Sequence, residues 1–190
     1  MKKYILTIVV ALLLSVMQLN AQENVIILPD IEMSGIEMQA TMNEDGTDII
    51  QRPFKWFSGI AKADDRQLAV EIATREAYAT ISRVLMNNVN DKCERATLAI
   101  DGKVAKAVKS YWLQVSETIT KGCEPYGKAS VTYNTETKMY EVTAKVAVRG
   151  DRYLKLLGEA KEAKPEGLNA AETQEFIEIN AAIIDAAKED

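Results

Sequence analysis

Strict period-two alternation runs through residues 127–148. Ala129, Val131 and Tyr133 alternate with polar neighbours. Asn134-Thr135-Glu136-Thr137 then carries turn chemistry, and Tyr140, Val142, Ala144, Val146 and Val148 resume opposite Glu141, Thr143 and Lys145. The pattern predicts a β-hairpin with one buried and one wet face, as in an antiparallel sheet covered by helices on one side. A second alternating run spans 54–62, with Phe54, Trp56, Ser58 and Ile60 against Lys55, Phe57 and Gly59. It predicts a strand in which Gly59 marks a bulge or a closely approaching helix.

Helical periodicity is clearest over 65–87, where Ala69, Ile72, Ala73, Ala77, Ile81, Val84 and Leu85 share one stripe. The alanines predict a helix lying close on the strand. Asp64 is its expected N-cap, with Gln67 as capping-box partner, and Asn87-Asn88 its expected end. After an Asp101-Gly102 turn, a second helix is expected over 103–121. Its stripe is Val104, Val108, Trp112, Val115 and Ile119, and Gly122 stops it. Beyond Gly150 a short helix with Leu154 and Leu157 runs to near Pro165. A last helix, 170–188, begins after Asn169 with Glu172 at the capping-box position. Phe176, Ile177, Ile183 and Ile184 mark its apolar side. It is expected to dock on the wet face of the sheet, or else to bind another protein.

These elements predict an α+β fold. A small antiparallel sheet, strand plus β-hairpin, is covered on one face by two helices, with additional C-terminal helices. The expected organisation is a leader over 1–21, an N-terminal arm over 22–53, the α+β domain over 54–150 and a helical extension over 151–190. In the arm, Val25, Ile26, Ile27 and Leu28 suggest one strand before Pro29. Met33, Met38 and Met42 then fall among Glu32, Glu37, Glu44 and Asp45. This stretch reads as loosely packed chain or as a Met-rich partner-binding segment, since thioether side chains adapt to many surfaces.

The leader has three parts. Lys2 and Lys3 are followed by an apolar run from Tyr4 to Leu14, broken only by Thr7, and then by Ser15, Gln18, Asn20 and Ala21. This is the pattern of a secretory signal peptide, and the run is short for a membrane-spanning helix. Cleavage is expected after Ala21, leaving about 169 residues, enough for one domain with a core. The first cysteine is Cys93, so no direct lipid anchor is expected at a new N-terminus.

Composition narrows the chemistry. The 190 residues include no histidine, which excludes Ser-His-Asp and Cys-His nucleophilic sites and His-ligated metals. Two cysteines are too few for a four-thiolate zinc site. Lys+Arg is 23 against Asp+Glu 28, a net charge of −5. Removing Lys2 and Lys3 leaves 21 basic against 28 acidic residues, or −7, the wrong sign for a nucleic-acid footprint. No cofactor and no metal is expected. Asp64-Asp65 reads as helix capping. Asp101-Gly102 lacks the spaced carboxylates of a calcium loop. Ser58-Gly59 lacks the first glycine of a nucleophile elbow, and no particular lysine is singled out as a partner for a serine.

Cys93 and Cys123 are the candidate disulfide. An exported chain favours a bridge, which would close about 30 residues and contribute about 3–4 kcal/mol. An antiparallel helix pair instead separates the two by roughly the length of the second helix, about 27 Å, where a bridge tolerates about 7 Å. Residues 88–103 could fold back and rescue the bridge, so bridged and separate thiols both stand. Trp56, Phe57, Trp112, Tyr133 and Tyr140 could line an aromatic groove, but most lie on apolar stripes. Phe57, opposite Trp56 on its strand, is the expected exposed aromatic. With Phe176 and Ile177 it forms the candidate partner surface.

Three segments carry a resemblance. Trp56-Phe57-Ser58-Gly59-Ile60-Ala61-Lys62-Ala63 leads into the helix of Ala69, Ala73 and Ala77. Val115-Ser116-Glu117-Thr118-Ile119-Thr120-Lys121-Gly122 precedes a strand. Met139-Tyr140-Glu141-Val142-Thr143-Ala144-Lys145-Val146 lies in the closing strand. Together, over about residues 54–148, they resemble the Lpp-twenty lipoprotein family and the similar N-terminal domain of the flagellar assembly protein FlgT. The resemblance implies an α+β domain on the outer-membrane side of a Gram-negative envelope, without catalysis. The chain departs from it in lacking the lipidation cysteine. The expected function is thus a non-enzymatic exported protein of the periplasm or outer membrane, working by contact with envelope proteins. The alternative is a module that binds a small molecule or glycan in a concave apolar pocket. A histidine-free hydrolase is the remote third.

Overall fold

The computed structural model describes residues 32–42, 45, 46, 48–96 and 102–189. The expected leader, the expected strand at 25–28 and Asp101 of the expected turn lie outside them. In chain order the elements are β1 (Ser34–Met42), β2 (Ile49–Ala63), α1 (Arg66–Ala96), α2 (Gly102–Gly122), β3 (Glu124–Pro125), β4 (Ser130–Asn134), β5 (Met139–Arg149), α3 (Gly150–Lys161) and α4 (Ala170–Glu189). The fold is α+β: the described residues form four helices and a five-stranded antiparallel sheet ordered β1-β2-β5-β3, in which β4 also pairs β5.

The β4–β5 hairpin forms where alternation placed it, with Asn134 opposite Met139. Asn134 Oδ1 accepts the N–H groups of Glu136 and Thr137, which fixes the turn. Strand β2 is longer than 54–62 and begins at Ile49. It forms a hairpin with β1, inside the segment expected to be loose arm. Pro53 is tolerated there because the β2–β5 ladder starts only at Phe54↔Arg149, so no strand bond is lost at the proline nitrogen.

One face of the sheet carries the core. Phe57 opposite Val146 and Ala61 opposite Val142 point toward the helices, and between them Gly59 opposes Ala144. Helix α1 lies on this face through Ala69, Ala73 and Ala77, all fully buried. A Cβ built on Gly59 would sit 2.1 Å from the Ala77 nitrogen and 2.2 Å from the Ala73 oxygen. The expected close approach is therefore real, and only glycine permits it. Asp65, rather than Asp64, caps α1: its Oδ1 accepts the Leu68 N–H at 2.8 Å, and Gln67 instead donates to Glu71. Strand β2 runs to Ala63, which leaves Asp64 in the link. The helix also passes through Asn87-Asn88 and ends at Ala96. The stripe of Ile81 and Leu85 continues four residues at a time to Val89 and Cys93, all buried. Burying Val89 alone is worth about 1.5–3 kcal/mol, more than the few tenths lost by asparagines in a helix.

Helix α2 buries the expected stripe of Val104, Val108, Trp112, Val115 and Ile119. Helix α4 does not dock on the wet face. Phe176, Ile179, Ile183, Ile184 and Ala187 join the same core cluster as Phe57, Val146, Trp112 and Tyr153. Their i, i+3, i+4 spacing makes a stripe that matches the apolar sides of α2 and α3. Polar ties fix the seat: Trp112 Nε1 donates to Asn180 Oδ1 at 2.9 Å, and Tyr153 Oη donates to the Ala187 carbonyl at 3.0 Å.

Candidate functional site

Strand β1 has the sequence Ser-Gly-Ile-Glu-Met-Gln-Ala-Thr-Met. Ile36, Met38, Ala40 and Met42 alternate with Glu37, Gln39 and Thr41, so all the large apolar side chains point one way. The register opposes Ser34 to the core residue Phe57, which puts these even positions on the helix-bearing face. The helices do not cover that part of the face: Ile36 is 57% exposed, Met38 58%, Met42 67% and Ile49, opposite Met42, 74%. Four large apolar side chains thus form an open stripe along one hairpin.

The backbone of β1 is open as well. Ser58 donates its N–H to the Met33 carbonyl at 2.8 Å, which makes 33 and 58 a hydrogen-bonded pair. Alternation along an antiparallel ladder then turns the N–H and C=O groups of odd residues toward β2 and those of Ser34, Ile36, Met38, Ala40 and Met42 outward. Among the described residues no strand pairs that outer edge. Edge strands are commonly blunted by lysine, proline or an inward charge. Strand β1 contains no lysine or proline, and its single charge, Glu37, lies on the opposite face.

A second feature lies on the far face of the sheet. Trp56 is buried there, with Lys145 Nζ 3.9 Å from its ring centroid and Gly35 beneath its edge. Beside it opens a groove of about 440 Å³, lined by Phe54, Tyr126, Ala147, Glu124, Arg149 and Arg152 among others. The Phe54 and Tyr126 rings stand 5.6 Å apart. A smaller cavity of about 130 Å³ shares Phe54 and Arg149 with it and adds Thr41 and Arg52. Thr41 Oγ1 and Arg52 Nε are buried without a hydrogen-bond partner. Arg149 pairs with Asp151 and, through that hydrogen bond above all, holds its carboxyl below the usual range. The groove offers donors and two flat rings to a ligand with an acceptor group.

The sequence-derived site residues fall elsewhere. Phe57 is not an exposed aromatic. It is fully buried, because Phe57 rather than Trp56 points to the helices. Phe176 is fully buried and Ile177 packs against the same core, since α4 lies in the helical layer. None of the three belongs to an open partner surface. Cys93 and Cys123 are buried free thiols. Tyr78 Oη donates to the Cys123 carbonyl at 3.4 Å, and Cys93 lies fifteen residues further along α1, about 22 Å at 1.5 Å per residue. The candidate disulfide is therefore not formed. Burial raises both thiol pKa values, that of Cys123 to about 12 against the opposing Arg152 charge.

Among the described residues, no group of three or more histidine, cysteine, aspartate or glutamate side chains could hold a metal ion, and no helix is long and apolar enough to cross a membrane. Comparison with family models, curated proteins and solved structures finds no match for this chain.

Proposed function

We propose that this chain is a non-enzymatic exported envelope protein, with a structural or assembly role in the periplasm or at the outer membrane, acting through protein–protein contacts. The β1 edge carries the reading. It is nine residues long, unblunted, and flanked by the exposed Ile36, Met38, Met42 and Ile49. Such an edge binds an extended segment by main-chain hydrogen bonds, with side-chain contacts on one face supplying selectivity. The leader pattern over 1–21 and the Lpp-twenty resemblance over 54–148 support the address.

A photo-reactive residue at Met38, expressed in cells and followed by fractionation and mass spectrometry, tests this. The expected result is protein adducts in the envelope fraction from Met38 and none from the same residue at Arg75, exposed on α1. An absence of adducts at Met38, or retention of the chain inside the cytoplasm, refutes it.

The second reading is a small-molecule or glycan-binding module. It is favoured by the groove on the far face, where Arg52 Nε and Thr41 Oγ1 lack partners. Chemical-shift changes confined to Phe54, Tyr126 and Arg52 on titration with acidic saccharides would support it. Their absence would remove it.

A further inference from the structure

We propose that β1 pairs with the β1 of a second copy of this chain, antiparallel and centred on Met38, so that two sheets join into one. The inference rests on the contact reading above and names the partner. Three observations select this partner and register.

The outward-facing backbone groups belong to Ser34, Ile36, Met38, Ala40 and Met42, all even positions. A two-fold axis at Met38 sets Met38 opposite Met38, Ile36 opposite Ala40 and Ser34 opposite Met42. Every outward group then meets an outward group, and all nine residues of the strand are used. The side chains agree. These pairs share the apolar face, so the stripe of Ile36, Met38, Met42 and Ile49 continues into its copy across the axis. Directly opposed apolar pairs are the unit of sheet stabilisation.

Charge selects the register. With the axis at Met38, Glu37 faces Gln39 and Gly35 faces Thr41. With the axis one residue earlier, Glu37 would face Glu37, a destabilising like-charge pair. With the axis one residue later, Ser34 and Gly35 lose their partners inside the strand. Met38 is the centre that pairs the whole strand without opposing two carboxylates.

The exported chain, purified whole, should show a concentration-dependent dimer by analytical ultracentrifugation. Met38→Pro removes an outward N–H and leaves the β1–β2 bonds in place; Met38→Lys keeps that N–H but sets two ammonium groups face to face. Each should weaken the dimer at least about tenfold, with a far-ultraviolet spectrum and melting temperature close to those of the parent. Met38→Cys should oxidise to a dimer, since directly opposed residues lie about 5.5 Å apart between Cα atoms. Ala40→Cys should not, being about 14 Å from its own copy. A monomer at all concentrations, a dimer indifferent to Met38→Pro and Met38→Lys, or preferential bridging through Ala40→Cys overturns the proposal. If Met38 photo-adducts in cells join only a different protein while the pure chain is monomeric, the contact reading stands and the second copy falls. If neither adduct nor dimer appears, both fall.

Discussion

Trp112 and Asn180 are both buried, and the indole Nε1–H of Trp112 donates to Asn180 Oδ1 at 2.9 Å. Asn180 Nδ2 in turn donates to the Ala160 carbonyl at 2.6 Å. One side chain on α4 thus satisfies a donor on α2 and an acceptor near the end of α3. Asn180→Leu leaves the buried indole N–H of Trp112 without a partner and the Ala160 carbonyl with only the longer bond from the Ala163 N–H at 3.3 Å, and should cost about 1–3 kcal/mol. Urea unfolding followed by tryptophan fluorescence reads this directly; a loss below about 1 kcal/mol would show that the tie contributes little.

Three glycines should respond to alanine in different ways. At Gly59 the added Cβ meets the α1 backbone at 2.1 Å, and strand and helix must separate, at a cost of about 3 kcal/mol or more. At Gly35 it meets the Trp56 ring at 2.7 Å, a side chain that can shift, so the loss should be smaller. Gly158 lies in α3 with nothing within 4 Å, and alanine there should stabilise by about 0.5–1 kcal/mol. Thermal melts of the three variants test the order; equal effects would contradict it.

The native thiols should be silent. With the Cys123 pKa pushed up to about 12, only about one thiol in ten thousand is ionised at pH 8, and burial shields it further. Cys93 is buried too, and its pKa is likewise raised. Iodoacetamide should label neither cysteine in the folded protein and both in urea, with or without reductant. Labelling in urea only after reduction would reveal a bridge.

Acid should loosen the α2–α4 contact. Glu172 accepts the Asn169 N–H at 2.7 Å and pairs with Lys103 Nζ at 3.0 Å, and these hold its pKa below that of a free glutamate. A depressed folded-state pKa stabilises the fold above the unfolded value, about 4.3, and that contribution disappears as pH falls through the folded value. Glu141 and Asp151 are shifted the same way by Lys62 and Arg149. The melting temperature should therefore fall below about pH 4.5, and Glu172→Gln should fall less steeply. Parallel curves for parent and variant would show that Glu172 is not part of the acid response.

The helical stripes and the β4–β5 hairpin were legible because their periods are unbroken. Gly59 was legible because a strand glycine followed by an alanine-lined helix is what close backbone packing requires. The side of Phe57 was not. Trp56 and Phe57 are adjacent and both apolar, so alternation at that point does not say which one faces the helices. Strand β1 carries a plain period-two signal at Ile36, Met38, Ala40 and Met42. Methionine and alanine there lack the β-branched character that marks strands, and the acidic neighbours suggested solvent. The end of α1 was hidden because Asn87-Asn88 is a local stop signal, whereas Val89 and Cys93 are held by tertiary burial.

The sheet topology also dictates an order of assembly. Strands β1 and β2 are neighbours in the chain, but the other edge of β2 pairs only with β5, from Ala63↔Tyr140 to Phe54↔Arg149, after α1 and α2 have intervened. A chain emerging from its N-terminus therefore presents a hairpin with two unsatisfied edges until residues 139–149 arrive. Delivery of β5 closes the sheet, and α3 and α4 then complete the core above it. A chain cut after α2 would hold Phe57 and the whole alanine seam of α1 over half a floor.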